Sequence, residues 1–295
     1  MSGATLSVDG RSIDISNRDK VLFPDAGITK GDVIDYYTRI APHALPHYRG
    51  RALTMQRFPD GITEDGFFQK NIPDYFPDWI DRVTLSKEDG KITHVIANTA
   101  ATLAYIANQG CITPHLALAR CDTPDRPDRL VFDLDPSDGD FGKVQSVAGC
   151  LHAALQARDL PGFVQTTGLR GLHILVPLDG SADFDAVRQA ARRFAEEIVA
   201  KLPDLATLEH RKSDRGEKVF IDTLRNAYGQ TSVAPYGIRA RAGAPVATPI
   251  TWDEALHPDL SPRKYTIRTI FRRLGQIDDP WAGLSDAAIA SASLS

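Results

Sequence analysis

The segment Leu130-Val131-Phe132-Asp133-Leu134-Asp135-Pro136 is an apolar run that ends in two aspartates one residue apart. Because strand side chains alternate between two faces, Asp133 and Asp135 project from one side while Phe132 and Leu134 point into a core. Two carboxylates on one face repel each other unless a cation lies between them. Hard ions such as Mg²⁺ and Mn²⁺ often bind one or two carboxylates together with substrate phosphates. The segment is thus either half of a phosphoryl-transfer metal site or an ordinary strand exit with Asp and Pro in the turn.

Length, charge and cysteine usage narrow the class of protein. The chain has 295 residues and a formal net charge of −4, which predicts one large domain or two closely packed ones. That charge argues against a dedicated nucleic-acid coat protein but is compatible with a local basic groove. The three cysteines lack metal-ligand spacing and indicate free thiols in a reducing compartment. Without a membrane-length apolar run or a signal sequence, we expect a cytoplasmic protein with no membrane partner.

The periodicity of apolar residues after Pro136 predicts a small α+β core. The pattern runs strand, helix, hairpin, helix, strand, which differs from the regular alternation of a Rossmann fold. It resembles a split βαβ unit or an RRM-like sheet. The predicted elements are helices over 141–158 and 184–202 and strands over 163–166, 172–176 and 218–222.

The residues before this core predict a second, N-terminal module. Its predicted elements are a hairpin around Asp9-Gly10, a helix from Thr29 toward Pro42, a strand over 51–58, a hairpin over 82–96 and a helix over 99–109. The polar, proline-rich stretch 122–129 predicts a seam between an N-terminal α/β module, 1–125, and a catalytic core, 126–295. A basic stretch, 263–273, is predicted to be helical, and the small polar tail beyond Pro280 is expected to fray.

The segment Thr166-Thr167-Gly168-Leu169-Arg170-Gly171-Leu172-His173 follows the first predicted helix of the core. Its two glycines bracket a turn and allow backbone N–H groups to approach an anion. Thr167 adds a hydroxyl, Arg170 a guanidinium suited to phosphate, and His173 a further donor on the adjoining strand. A plain glycine-rich hairpin with a satisfied histidine is the alternative, and one Gly-x-x-Gly does not decide between them.

Two further segments supply groups that phosphoryl transfer needs. Asp222 ends an apolar strand, and two-metal chemistry requires carboxylates from more than one strand. A turn-capping role for Asp222 is the alternative. Arg239 and Arg241 share one strand face, where they would meet a triphosphate or a nucleic-acid backbone unless they are merely solvated. A basic stretch that includes Arg215 leads into the Asp222 strand.

The N-terminal module has its own candidate nucleic-acid contacts. Lys20 and Lys30 are placed where one surface would hold both. Phe67 and Phe68 are adjacent aromatics on a predicted loop, where exposed rings stack on unpaired bases. From local sequence alone, two core phenylalanines are the simpler interpretation.

Other protein classes share parts of this pattern. Phosphatases of the haloacid-dehalogenase type also have an apolar strand followed by Asp-x-Asp, but near the start of a Rossmann-like domain and usually before Thr or Val rather than Pro136. A glycosyltransferase Asp-x-Asp explains neither the glycine hairpin nor Asp222. A non-catalytic nucleic-acid-binding module leaves the three carboxylates without a purpose. No P-loop, dinucleotide fingerprint or Gly-x-Ser-x-Gly elbow occurs.

The ordered motifs resemble the polymerase domain of bacterial ATP-dependent DNA ligase D, in the archaeo-eukaryotic primase superfamily. The resemblance spans nearly the whole chain and is carried by Asp19–Pro24, Thr29-Lys30, Asp35–Tyr37, Gly66–Lys70, Phe132–Pro136, Thr167–His173, Val219–Asp222 and Ala234–Arg239. It implies an α+β primase-type fold with an RRM-like catalytic sheet flanked by helices, a packed N-terminal α/β module and a C-terminal helical tail. It also implies a DNA-dependent primase-polymerase that extends a primer 3′-hydroxyl with ribo- or deoxynucleotides. The implied role is gap filling and end extension in non-homologous end joining, with gap filling in excision repair by a stand-alone enzyme as the alternative.

The resemblance also assigns roles by position. Asp133, Asp135 and Asp222 would be catalytic and would hold two ions of Mn²⁺ or Mg²⁺. The residues expected to bind nucleotide are His115, Thr167, Gly168, Arg170, His173, Arg215 and Arg239. The residues expected to contact DNA are Lys20 and Lys30, at a downstream 5′-phosphate, and Phe67 and Phe68, at the template. Expected partners are gapped DNA or 3′-protruding ends, NTP or dNTP substrates, Ku and a ligase, in the cytoplasm at the nucleoid.

Two departures from the family's pattern concern nucleotide contacts. The hairpin commonly has Ser and Lys where this chain has Thr167 and Arg170, and both swaps keep a hydroxyl and a cation. After the third aspartate, the frequent Trp-Ser-Gln-Asn is replaced by Thr223-Leu224-Arg225-Asn226. The fine nucleotide contacts at these positions are therefore expected to differ.

Overall fold

The computed structural model describes residues 4–87 and 89–294. The strands are β1 (Ala4–Val8), β2 (Arg11–Ile15), β3 (Val21–Phe23), β4 (Ile28–Thr29), β5 (Ala52–Arg57), β6 (Phe67–Gln69), β7 (Arg82–Lys87), β8 (Gly90–Ile96), β9 (Cys111–Ala117), β10 (Arg129–Pro136), β11 (Phe163–Thr166), β12 (Leu172–Pro177), β13 (Ala206–Thr207), β14 (Val219–Asp222), β15 (Thr231–Val233) and β16 (Thr248–Ile250). The helices are α1 (Lys30–Tyr48), α2 (Ala100–Asn108), α3 (Phe141–Gln156), α4 (Phe184–Lys201), α5 (Trp252–Leu256) and α6 (Ile270–Leu274). Helices and strands are mixed along the chain, as the predicted α+β class requires.

The chain forms two compact units, each built from several segments. The first unit comprises the described residues up to Ala117 with Thr231–Ala247 and Tyr265–Arg273. The second comprises Leu118–Gln230, Thr248–Lys264 and the described residues from Leu274 onward. The units are discontinuous because two later segments pack with the N-terminal residues. The assignment of separate roles to residues 1–125 and 126–295 stays a prediction.

The first unit contains a sheet with the strand order β15-β9-β5-β8-β7. The short strand β6 pairs with the last residues of β5. Helix α1 begins at a capping box, in which Thr29 and Asp32 satisfy each other's backbone N–H groups. The helix does not end near Pro42 as predicted, but continues to Tyr48. Ala44 and Tyr48 of its last turns are fully buried, and this burial offsets the hydrogen bond that a proline inside a helix removes.

The second unit contains a sheet with the strand order β13-β14-β10-β12-β11-β16. β10 pairs antiparallel with both of its neighbours, β12 and β14. This pairing differs from the Rossmann-like sheet of the phosphatase alternative, whose strands run parallel. Phe132 and Leu134 are fully buried, while α3 and α4 contact β10. β10 is therefore anchored by its apolar side chains.

The residues after Pro280 were predicted to fray, but those described, as far as Leu294, are ordered by contacts within the second unit. Trp281 is buried, and its Nε1 donates a hydrogen bond to the Val164 carbonyl at 3.0 Å. Ile289 forms a β-bridge with Leu178. The predicted helical tail is wrong in form, because beyond α6 the chain makes turns and one 3₁₀ segment, Ser291–Leu294. Ser295 lies outside the described residues.

The predicted helix over 263–273 is shorter than expected, since α6 covers only its last residues and Leu274. Among the described residues, no helix combines the length and apolarity that crossing a membrane requires.

Candidate active site

The strand register brings the three predicted catalytic carboxylates to one face of the second unit's sheet. Asp133 on β10 is directly opposite Asp222 on β14, and Asp135 is opposite Phe220. Asp133 and Asp135 are two residues apart on one strand, so their side chains share a face. Directly opposed residues also share a face, which adds Asp222 to the pair.

Two basic side chains, His173 and Arg225, contact the carboxylates of Asp133 and Asp222. His173 Nε2 lies 3.3 Å from Asp133 Oδ1. Arg225 Nε lies 3.3 Å from Asp133 Oδ2 and 3.6 Å from Asp222 Oδ2. The Asp133 side chain is only 7% exposed, whereas that of Asp135 is 34% exposed and has Arg170 at 3.9 Å. The site is thus an acidic cluster partly neutralised by the chain's own cations.

The two aspartates of β10 have opposite pKa shifts. Burial alone would raise the pKa of Asp133, but the charge and hydrogen bonds of His173 and Arg225 outweigh it and hold the pKa at about 2. Burial raises the pKa of the Asp135 carboxyl, and the neighbouring Asp133 charge raises it further against the opposing charge of Arg170. The ionised form of Asp133 is therefore stabilised by groups of the protein itself. The ionised form of Asp135 is not, so a further cation would stabilise the Asp135 carboxylate most.

Gln165 orients the histidine of this cluster, although sequence analysis did not single it out. It is opposite His173 on the β11–β12 hairpin, and its side-chain amide lies 3.2 Å from His173 Nδ1. With the amide donating to Nδ1, the ring proton is on Nε2 and points at Asp133. The chain of contacts from Gln165 through His173 to Asp133 is almost wholly buried.

The hairpin between β11 and β12 is held by the hydroxyl of Thr167. This hydroxyl accepts hydrogen bonds from the N–H groups of Leu169 and Gly171 and donates to the Gly171 carbonyl. Gly168 has a left-handed φ of 67°. A Cβ on Gly171 would lie 1.8 Å from the Leu134 carbonyl oxygen, so the turn lies directly against β10. The predicted residues Thr167, Gly168, Arg170 and His173 therefore lie around the acidic cluster.

Arg215, another predicted nucleotide-binding residue, lies on a loop before β14. Its side chain donates to the carbonyl groups of Glu209 and His210, at 2.7 Å each. The guanidinium also stacks over the Phe220 ring, 3.7 Å from its centroid. These contacts hold the loop in shape, and a nucleotide contact by Arg215 stays a prediction.

The first unit holds the predicted aromatic pair. Phe67 and Phe68 lie on β6 rather than on a loop, and both rings are exposed, 47% and 60% respectively, so the interpretation as core residues is wrong. The Phe68 ring packs edge-on against His115, with centroids 5.4 Å apart. Arg57 lies over the Phe67 ring and donates to the hydroxyl of Tyr75, a third exposed aromatic that sequence analysis did not single out. Phe67, Phe68 and Tyr75 form what we call the aromatic surface.

The two predicted phosphate-binding lysines differ in environment. Lys20 is paired with the exposed carboxylate of Asp60. Lys30 is buried at the start of α1, and its Nζ donates to the carbonyl and hydroxyl oxygens of Ser16. Burial, and the charge of nearby Lys20, lower the pKa of the Lys30 ammonium.

Arg239, which was predicted to bind nucleotide, also lies in the first unit. Its backbone N–H donates a hydrogen bond to the Pro245 carbonyl.

The donor set of the acidic cluster fits a hard divalent ion, although the described residues contain no converged group of three or more His, Cys, Asp or Glu side chains. Carboxylate oxygens are the ligands that Mg²⁺ and Mn²⁺ prefer. One cationic group, Arg225, already bridges Asp133 and Asp222, which indicates that a single cation reaches both. Asp133, Asp222 and Asp135 are therefore the residues that could hold metal.

Arg225, like Gln165, is a residue of the site to which sequence analysis assigned no role. The only sequence signal was its place three residues after Asp222, where the motif departs from Trp-Ser-Gln-Asn. Its contact with Asp133 follows from the pairing of β10 with β14.

Known proteins are similar to this chain in sequence. The family model described as LigD, primase-polymerase domain, matches residues 29–281. The multifunctional non-homologous end joining protein LigD of Mycolicibacterium smegmatis is 36% identical over 282 residues, which are 94% of this chain and 37% of that protein. The bifunctional non-homologous end joining protein LigD of Bacillus subtilis is 31% identical over 264 residues, 89% of this chain and 42% of that protein. The chain thus spans about two fifths of the length of these relatives.

A solved structure shares the fold. The polymerase domain from Mycobacterium tuberculosis ligase D, in complex with DNA, matches with a TM-score of 0.88 and 34% identity, over 94% of this chain and 99% of that one. The resemblance inferred from the ordered motifs and the predicted α+β primase-type fold are both confirmed.

Proposed function

The chain belongs to the LigD primase-polymerase domain family and is thus an enzyme of the nucleotidyltransferase type, and from this premise we propose its reaction. The reaction is DNA-dependent addition of ribo- or deoxynucleotides to a primer 3′-hydroxyl. Its role is gap filling and end extension in non-homologous end joining. The observation that carries the proposal is the register of β10 and β14, with Asp133 opposite Asp222 and Asp135 two residues along the same face.

In this reaction the primer 3′-oxygen attacks the α-phosphorus of the nucleotide, a phosphodiester bond forms, and pyrophosphate leaves. LigD polymerase domains are metal-dependent. We assign two ions, Mn²⁺ or Mg²⁺, to Asp133, Asp135 and Asp222. These three carboxylates would hold the ions, whose chemistry would be to acidify the 3′-hydroxyl and to neutralise charge on the phosphates.

The remaining groups of the second unit position the triphosphate in this proposal. Arg170 is largely exposed and offers its guanidinium to phosphate oxygens.

His173 and Gln165 hold Asp133 in a fixed orientation, so the carboxylate does not reorganise during the reaction. Thr167 shapes the turn whose residues Gly168 and Arg170 approach the nucleotide, which is an indirect contribution to the predicted contact. We assign Arg215 of this unit to the nucleotide as well, and we keep the same assignment for His115 and Arg239, which belong to the first unit.

The first unit binds DNA in this proposal. Both rings of Phe67 and Phe68 are exposed, which is unusual for adjacent residues of one strand and favours base stacking at the template. The charge of Lys20 acts on the ammonium group of Lys30, so two basic groups lie near each other, which suits a doubly charged 5′-phosphate.

Family membership also supports our proposal for the partners. The solved relative is a complex with DNA, and the curated relatives are named for non-homologous end joining. We propose gapped DNA or 3′-protruding ends with a 5′-phosphate and NTP or dNTP as substrates, and Ku and a ligase as partners, in the cytoplasm at the nucleoid. Gap filling in excision repair would use the same chemistry without Ku.

A single assay tests the proposed reaction. The protein is incubated with a labelled primer across a one-nucleotide gap, Mn²⁺, and either ribo- or deoxynucleoside triphosphates. A polymerase lengthens the primer by the templated nucleotide, whereas a phosphatase or glycosyltransferase leaves it unchanged and a binding module only shifts the DNA on a gel. Adding EDTA to the same reaction should stop extension. Unchanged primer in all conditions would contradict the proposal.

A further inference from the structure

The guanidinium of Arg225 bridges two of the carboxylates that we assign to metal. Its Nε is 3.3 Å from Asp133 Oδ2 and 3.6 Å from Asp222 Oδ2. The two aspartates lie opposite each other on β10 and β14. One cationic side chain of the protein itself is thus bound to the oxygens that a divalent ion would take.

A divalent ion and Arg225 compete for this pair of carboxylates. Both are cations that require the same acceptor oxygens, and two positive groups a few ångströms apart repel each other. The guanidinium partly neutralises the negative charge of the two carboxylates. In this position Arg225 therefore lowers their affinity for a metal ion.

The side chain of Arg225 can leave this position without a change in the backbone. Its side chain is 41% exposed, so it can rotate toward solvent. Its neighbour Asn226 is fully buried and fixes the backbone, because its amide donates to the carbonyls of Val131 and Thr223 and its oxygen accepts from the Val131 N–H. The Asp222 Oδ1 atom accepts from the Leu224 N–H and fixes the same turn from the other side. The backbone of the turn is therefore anchored at the edge of the cluster, while the Arg225 side chain has a solvent-exposed side.

We propose that Arg225 occupies the Asp133–Asp222 pair in the free protein and turns to the triphosphate when the nucleotide arrives with its ion. This inference rests on the proposed function. A triphosphate gives the displaced guanidinium a new anionic partner whose geometry suits it. Metal binding is then weak without nucleotide and strong with it, so Arg225 is a positioning residue that couples the two ligands.

The test measures Mn²⁺ binding rather than turnover. Free Mn²⁺ is titrated by electron paramagnetic resonance in the presence of protein, with and without a non-hydrolysable nucleoside triphosphate. The variants are Arg225→Gln, which removes the charge, Arg225→Lys, which keeps it, and the matched control Arg192→Gln, on the exposed face of α4, where Arg192 pairs with Glu196.

Arg225→Gln is expected to bind Mn²⁺ about tenfold more tightly without nucleotide and to gain less from adding nucleotide. Arg225→Lys and Arg192→Gln should stay within about twofold of the original protein. Equal or weaker Mn²⁺ binding by Arg225→Gln, with circular dichroism unchanged, would overturn the inference. An Arg225→Gln variant that does not fold would also count against it, because a mobile competing side chain is not needed for folding.

Failure of the proposed function has a different signature. In that case neither the original protein nor Arg225→Gln binds Mn²⁺ under any condition, and Asp222→Asn behaves like both. If Asp222→Asn abolishes Mn²⁺ binding while Arg225→Gln leaves it unchanged, only the role of Arg225 is contradicted.

Discussion

Asp133 on β10 lies directly opposite Asp222 on β14, although 89 positions of sequence separate them. On its other side Asp133 is opposite His173 of β12. A slip of one residue in either neighbour would turn Asp222 or His173 to the opposite face of the sheet. The acidic cluster therefore depends on the register of three strands, and the features that fix this register are as important as the carboxylates themselves.

Gly171 is one of the features that fix the register. A Cβ at this position would lie 1.8 Å from the Leu134 carbonyl oxygen, so Gly171→Ala must push β10 and the hairpin apart. We expect a loss of about 3 kcal/mol in the free energy of unfolding, measured by urea denaturation. Gly149→Ala is the matched control, because Gly149 lies within α3 and its added Cβ would come only to ordinary contact with the Leu256 side chain of α5, at 3.4 Å. The control should be unchanged or up to about 1 kcal/mol more stable, and equal losses in both variants would contradict the account.

Lys20 is the more accessible of the two lysines assigned to the 5′-phosphate. Its Nζ donates to the exposed carboxylate of Asp60, whereas the Nζ of Lys30 is buried and donates to Ser16. We expect Lys20→Ala to lose about tenfold in affinity for a gap with a 5′-phosphate and little for the same gap without it. Fluorescence anisotropy with the two DNAs measures this difference. Lys91→Ala, at an exposed position of β8, is the control and should leave the phosphate preference intact. An unchanged preference in Lys20→Ala would remove Lys20 from the site.

Phe68 on the aromatic surface is expected to stack on a base. Its ring is exposed and packs edge-on against His115, so its removal costs little stability. Phe68→Ala should weaken binding of gapped DNA about tenfold without lowering the midpoint of thermal unfolding by more than a few degrees. Phe68→Trp keeps an aromatic face and should retain most of the affinity. Loss of affinity in both variants to the same extent would argue against stacking.

Asp133 makes stability depend on pH. Its folded-state pKa of about 2 lies below the ordinary value of 3.8, so its contribution is complete above about pH 4 and is lost as the pH falls toward 2. We expect the original protein to exceed Asp133→Asn in unfolding free energy at pH 5 and this excess to shrink by about 2 kcal/mol by pH 2. Urea denaturation at several pH values measures it. A difference that stays constant or grows on acidification would show that the charged form is not the stabilised one.

Local sequence was enough to predict the two faces of β10 but not the contacts between strands. The alternation of Phe132, Asp133, Leu134 and Asp135 predicted the two faces of β10 correctly, because strand alternation is a property of consecutive residues. The bridge from Arg225 to Asp133 depends on the pairing of β10 with β14, which no local pattern encodes. Trp281 is a similar case, since its hydrogen bond to Val164 orders a tail whose composition alone predicts fraying.

The exposure of Phe67 and Phe68 also lay beyond local sequence. Adjacent aromatics within a strand normally bury at least one ring. Among the described residues, however, β6 pairs with β5 alone, through Met55–Arg57, and both rings stay exposed. Helix α1 also differs from its prediction, because burial of Ala44 and Tyr48 stabilises the helix beyond Pro42, toward which it was predicted to run.

The central claim is that the aspartates of β10 and β14 perform metal-dependent nucleotide addition. Its most direct test is the rate of single-nucleotide insertion into a primed gap with Mn²⁺, for the original protein and for Asp135→Ala. Asp135 has the most exposed side chain of the three carboxylates, so its removal leaves the core of the sheet in place. We expect insertion to fall at least about 100-fold while the affinity for gapped DNA stays within about twofold. Insertion by Asp135→Ala at the original rate would contradict the account.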